Sequence, residues 1–311
     1  MHYPDLLNQI LALFIILFFG YYLRKKKFIS ESRREFLFDL LLDYILPFMI
    51  ISAMMVDIEP GMLGNVIYVL LSWFMVYLLA ILLSAGLAKF LPGSDRHKRT
   101  IRFLIIFSNV GYMGLPVLGA IFPEYGIFYG SIGLIPFNVV FWTYGAYLLQ
   151  ENGNNFNLSR LLKIFNNNGT IALGIGFLLL LSGFRPPGAV VEAVELIGDA
   201  TFPLSMLVIG ASLYGMSFKK IIIKPELLGL SLLKLVIFPL LIFLLLLVLP
   251  LDNQLAAIIA MQFAMPVAAN SVIFASRFPG DEILASEGVF LTTLLALFTI
   301  PGLAGIITAL F

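Results

Sequence analysis

The sequence predicts an all-α integral membrane protein, with ten transmembrane helices in two inverted five-helix repeats and broken crossing helices four and nine. Composition, the placement of positive charge and a constant offset between like residues carry that expectation. Apolar residues make up 60% of the 311 and charged residues 12%, with a mean hydropathy of +1.01. A soluble domain carries about 25% charged residues, so lipid must solvate most of this chain. A net charge of +1 excludes a nucleic-acid binder by bulk electrostatics. The absence of cysteine excludes disulfides, thiolate catalysis and Cys-based zinc sites. His2 and His97 are the two histidines and both fall outside the expected spans, which argues against a histidine metal site or triad.

A spanning helix needs about 20 mostly apolar residues. Such stretches fall at roughly 5–23, 36–56, 62–88, 100–120, 124–149, 167–183, 190–215, 226–249, 253–277 and 281–309. The first is basic after its apolar run, at Arg24-Lys25-Lys26-Lys27. A signal peptide is basic before it, so this stretch reads as a retained span with its amino end outside. With that orientation every Lys and Arg of the 19 lies at an inward loop or helix end, except Arg185 outside and Lys234 within a span. That bias is what the positive-inside rule requires. Both termini are then outside the cytosol. An Asn- and Gly-rich segment divides the chain into a first repeat at 1–150, a connecting loop at 151–166 and a second repeat at 167–311.

The repeat rests on one register. Asp43 and Pro47 align with Asp199 and Pro203 at an offset of 199 − 43 = 156, and Gly20 with Gly176, Phe107 with Phe263 and Phe122-Pro123 with Phe278-Pro279 share it. Five spans are an odd number, so the second copy enters from the opposite side. Inverted repeats of this kind mark secondary transporters with a midplane substrate site.

Spans four and nine carry interruptions at equivalent places. Span four reads Ser108-Asn109-Val110-Gly111-Tyr112-Met113-Gly114-Leu115-Pro116. Pro116 has no N–H for the Tyr112 carbonyl, and the glycines loosen the turn. In span nine Pro266 frees the Gln262 carbonyl, and Asn270 or Ser271 is placed to cap a restarted half-helix. A simple proline kink is the plainer alternative. If both helices unwind, opened carbonyls can hold a cation and half-helix amino ends an anion.

The Ser108-Asn109-x-Gly-x-x-Gly-x-Pro116 stretch, with Pro203-Leu204 through Gly210-Ala211-Ser212-Leu213, resembles the auxin efflux carrier family, which includes plant PIN-type carriers and many bacterial permeases. The resemblance implies a fold related to the bile-acid sodium symporters. It implies a scaffold of helices one, two, six and seven, often a homodimer surface through two and seven. It also implies a mobile transport domain of helices three to five and eight to ten, working by an elevator motion. The expected substrate is a small carboxylate, the expected setting a bacterial inner membrane. Substrate contacts are expected from Asn109, Gly111, Gly114, Pro116, Pro266, Asn270 and Ser271. Ser108 and Asn109 resemble a sodium-binding pair, but Gln262 and Met265 stand where an acidic companion belongs. No cofactor is expected beyond a coupling Na+ or H+, and no catalysis.

Charges inside the bilayer are functional candidates by default. Asp43 and Asp199 each precede a proline by four residues and read as structural. Lys234 in span eight and Glu287 in span ten fall at similar depth, as a mutually neutralising pair would. The alternative is a snorkelling Lys234 with Glu287 free for proton coupling; Ser108 and Gln262 are further ion candidates. Rival functions are a non-transporting sensor on the same fold, a sodium-coupled symporter-like carrier, a channel and an intramembrane enzyme.

Overall fold

The computed structural model describes residues 3–55, 62–149, 168–184, 186–215, 221, 224–277 and 280–310. The expected connecting loop at 151–166 lies outside the described residues, as do Arg185, Lys219, Lys220 and Phe278-Pro279. Among the described residues the chain is helical, without strands. The helices are α1 (Tyr3–Lys25), α2 (Glu31–Met54), α3 (Met62–Ala88), α4 (Asp95–Ile106), α5 (Val110–Ile121), α6 (Gly126–Leu149), α7 (Asn168–Ser182), α8 (Gly188–Ser212), α9 (Pro225–Leu246), α10 (Asn253–Phe263), α11 (Asn270–Arg277) and α12 (Glu282–Thr308). Six of them, α2, α3, α6, α8, α9 and α12, are long and apolar enough to cross a membrane.

Aqueous helix ends are capped by side chains. Ser30, Ser94, Asp252 and Asp281 accept from the backbone N–H of Arg33, His97, Gln254 and Leu284, satisfying donors that have no partner within the helix. The Ser30 cap explains why α2 starts before the apolar run does: its first turns are the charged Glu31-Ser32-Arg33-Arg34-Glu35.

The chain forms two compact units. The first comprises Met1–Val66, Gly111–Leu134 and Phe165–Gly215. Within it α1 packs on the Thr201–Ser212 part of α8, and the Leu46–Met54 part of α2 packs on α7 and on Gly188–Asp199 of α8. The α1–α8 approach depends on glycine from both sides. A Cβ on Gly20 would overlap the Leu207 carbonyl, and one on Gly210 the Leu17 carbonyl. Small residues that let backbones touch are how helices associate in lipid, where no hydrophobic drive exists between them.

Three π-turns sit just ahead of prolines: Leu41–Ile45 before Pro47, Val110–Gly114 before Pro116 and Leu233–Ile237 before Pro239. The widened turn relieves the clash a proline ring makes with the preceding turn. At the first, the Asp43 carbonyl that Pro47 cannot serve accepts from Asn168 Nδ2 at 3.1 Å, and the Asp43 carboxylate accepts from the same amide at 3.2 Å.

The second unit comprises Ile67–Val110, Ile135–Ile164 and Met216–Phe311. There α12 packs against α4, α9, α10 and α11. A run of ring contacts links Phe103, Phe107, Phe137, Phe141 and Phe274 with centroids 4.4–6.0 Å apart.

Candidate functional site

Inside the second unit two helices stop and their chains run past one another. α4 ends at Ile106, and Phe107 turns to extended backbone (φ −100°, ψ 110°). α10 ends at Phe263, and helix resumes only at Asn270. Ser108 and Val267 face each other across an isolated antiparallel bridge. Its rungs are Asn109 N–H donating to the Pro266 carbonyl at 2.8 Å and Ala268 N–H donating to the Phe107 carbonyl at 3.1 Å. Each segment thereby supplies what the other lost on leaving the helix, as backbone away from water requires.

Side chains close the remaining gaps. In an unbroken helix Asn109 N–H would serve the Ile105 carbonyl; that N–H is committed to Pro266, and Lys234 Nζ donates to Ile105 instead at 2.7 Å. The Phe263 carbonyl would have been served by Val267. It accepts from Ser108 Oγ at 2.7 Å, while Val267 N–H donates to Thr292 Oγ1 at 3.1 Å. Thr292 in turn donates to the Gly288 carbonyl at 2.7 Å, and Gln262 Nε2 donates to the Val110 carbonyl at 3.0 Å. Ser108, Asn109, Lys234, Gln262, Ser271 and Thr292 are all buried. Lys234 Nζ also lies 4.1 Å from the centre of the Phe263 ring.

Helices that stop short of one another, with their ends stitched by side chains, are an expensive way to build a core and a direct way to expose backbone dipoles to a ligand. The sequence matches the membrane transport protein family, that of the auxin efflux carriers, over residues 5–304. The chain belongs to the auxin efflux carrier family. No curated protein matches it. As a member of that family it is a multi-pass membrane transporter, and the family's members are transporters rather than enzymes.

In this family member the expected site residues divide between the units. Ser108, Asn109, Gln262, Pro266, Lys234, Asn270, Ser271 and Glu287 belong to the second; Gly111, Gly114, Pro116, Asp43 and Asp199 belong to the first. Pro266 lies within the interruption, and the Gln262 carbonyl it cannot serve takes the Met265 N–H at 3.4 Å. Span four differs from the expectation. Pro116 does not open the chain at Tyr112; it follows the π-turn Val110–Gly114 within helix α5, and the widened turn accommodates its ring. Helical geometry is lost earlier, at Phe107–Asn109.

The expected Lys234–Glu287 pair is also corrected. Glu287 accepts both contacts from Lys224 Nζ, at 2.8 and 2.5 Å, and Lys234 points to the Ile105 carbonyl. Equal depth along two helices was a poor guide, because a lysine stem reaches about one helical turn along an apolar surface. Lys224 sits just ahead of α9 and reaches Glu287 from there, while Lys234 neither snorkels nor pairs. Asp43 and Asp199 are exposed on the first unit.

The sequence offered no signal for Thr292, Trp73 or Tyr77. Trp73 and Tyr77 lie four apart on α3 and are fully buried, yet the indole N–H and the phenol O–H have no hydrogen-bond partner among the described residues. Trp73 stacks toward Phe263 at 6.5 Å and Tyr77 toward Phe107 at 6.3 Å. In an apolar run they read as ordinary core aromatics; only the missing partners set them apart. The Ser271 hydroxyl, at the first turn of α11, likewise has no partner among the described residues. Among these same residues no group of His, Asp and Glu is arranged to hold a metal ion.

Proposed function

We propose that this auxin efflux carrier family member is a secondary carrier of a small organic anion, a carboxylate, held where the interrupted segments of helices four and nine cross. The observation that carries the reading is the concentration of donors at that place. The Ser271 hydroxyl in α11, the Trp73 indole beside Phe263 and the Tyr77 phenol beside Phe107 are buried donors without a partner, and no carboxylate side chain bonds there, among the described residues. Buried donors with no carboxylate beside them, in a setting of low dielectric, favour a negative ligand. Asn109 and Asn270 add amides that suit a carboxylate beside a hydroxyl.

In this reading ten spans form two inverted repeats, with both termini outside a bacterial inner membrane. Helices three to five and eight to ten move in an elevator motion against a scaffold of helices one, two, six and seven, driven by a Na+ or H+ gradient. Gly111, Gly114 and Pro116 contribute to substrate passage. The homodimer forms through helices two and seven. The exposed carboxylates of Asp43 and Asp199 support it, because charge at membrane depth is not left facing lipid.

The test is a thermal-shift screen of the purified carrier against small carboxylates, amines and neutral sugars. A ligand that binds the folded state raises its stability by mass action. Carboxylates alone should do so, and Asn109→Ala or Asn270→Ala should weaken the effect by about 1–3 kcal/mol of binding. Stabilisation by amines, or full affinity in the double variant, removes the crossing as an anion site.

A further inference from the structure

Lys234 is the only charged side chain fully buried among the described residues. A lysine in that position is ordinarily neutralised by a carboxylate, or else it reaches for water. Neither holds. The nearest expected acid, Glu287, is taken by Lys224, and no acidic group bonds to Lys234 among the described residues. Its ammonium has instead a backbone carbonyl and an aromatic face. The carbonyl is that of Ile105, one residue from the end of α4. The face is Phe263, the last residue of α10.

Both partners are places where a free cation would be held. The last carbonyls of a helix carry the negative end of its dipole and lack partners of their own. At α4 the loss is specific: the donor that belongs to Ile105 has gone to Pro266 across the bridge. An oxygen stranded like this, inside a membrane, is what a coupling ion coordinates in a carrier with broken helices. The Phe263 ring adds a second attraction for positive charge.

We infer that the Lys234 ammonium is a tethered cation, occupying the place at the carbonyl end of α4 that an inorganic ion would otherwise fill. The inference rests on the crossing being the transport site and narrows its coupling: with the position filled from within, the carrier does not need sodium there. Lys234 is thus a positioning residue, holding the end of α4 in the geometry that presents Ser108 and Asn109.

The experiment needs no transported substrate, so it stands or falls apart from the proposed anion. Thermal unfolding of the ligand-free full chain is followed in Na+, K+ and choline at equal ionic strength, for wild type, Lys234→Met and Lys234→Ala. Wild type should unfold at the same midpoint in all three salts. Lys234→Met should unfold several degrees lower, with no salt restoring it. Lys234→Ala should fall similarly and regain its midpoint, saturably, with n-propylammonium, which has the shape and charge of the missing stem; 1-propanol should have no such effect. A saturable sodium-specific stabilisation of wild type overturns the inference. So does a Lys234→Met protein as stable as wild type, or a Lys234→Ala protein indifferent to the amine. Should neither neutral variant fold, wild type alone decides, by whether sodium stabilises it over potassium.

Discussion

Replacing Thr292 by valine removes one hydroxyl and preserves shape, so its effect isolates a single bond of the crossing. Thr292 Oγ1 accepts from Val267 N–H and donates to the Gly288 carbonyl. Gly288 sits inside the continuous helix α12 and keeps its ladder donor when the hydroxyl goes. Val267 has no such reserve: the helical acceptor for its N–H, the Phe263 carbonyl, is already held by Ser108 and is reached only in helical geometry. One fully buried N–H is therefore stranded, which costs about 1–3 kcal/mol. Thr299 on the same helix is the control. Its buried hydroxyl has no partner among the described residues, so Thr299→Val should be neutral or stabilising. Reversible unfolding in detergent, followed by tryptophan fluorescence, reads the right region. Trp73 lies by Phe263 and Trp142 lies 5.3 Å from the Phe274 ring, both in the second unit. Equal costs for Thr292→Val and Thr299→Val would refute the account of how the crossing is held.

In a double-mutant cycle, Lys224→Met and Glu287→Gln should couple by about 0.5–1 kcal/mol, a modest value because the two side chains are 39% and 18% exposed. Lys234→Met and Glu287→Gln should add within about 0.3–0.5 kcal/mol, and coupling between them would restore the pair that the structure separates. Gly210→Leu should destabilise the first unit, since a side chain there displaces α1 at Leu17, whereas Gly174→Leu, which meets open space, should not; equal unfolding midpoints for the two would argue against the close approach. A cysteine placed in the Asn152–Asn157 segment should react only with reagent delivered to the cytosol; reaction from outside would reverse the proposed orientation.

How much of this was legible in the sequence varied with the physics involved. Helix positions followed apolar run length to within a few residues, and the largest shifts of an amino end came where a capping serine carried the helix into water, at Ser30 and Ser94. In span nine Pro266, which lacks a donor, stands in the stretch between the end of α10 at Phe263 and the start of α11 at Asn270. In span four Pro116 invites the same argument, yet the chain around it stays helical through a π-turn, and the non-helical residues are Phe107–Asn109. The loss at Phe107–Asn109 is caused by partners 155 residues or more away in sequence, Phe263 to Ser108 among them, and no local propensity encodes them. The partner of Lys234 is a backbone carbonyl, and carbonyls are the same at every position, so no residue type could announce it.

The bonds that close the crossing have one property in common. Ser108 to Phe263, Asn109 to Pro266, Lys234 to Ile105, Gln262 to Val110 and Val267 to Thr292 all begin and end within the second unit. A buried hydrogen bond broken in transit would strand its donor away from water at about 1–3 kcal/mol each, several times over for this set. The proposed mechanism avoids that cost if the residues that make these bonds, in spans four, eight, nine and ten, travel as one body. Gly111 meets only the Leu134 side chain, at 3.7 Å from an added Cβ, so space is not what calls for a glycine there. Its backbone is helical, without a positive φ, so Gly111→Ala should leave the unfolding midpoint of the carrier unchanged, and a fall of several degrees would refute that reading.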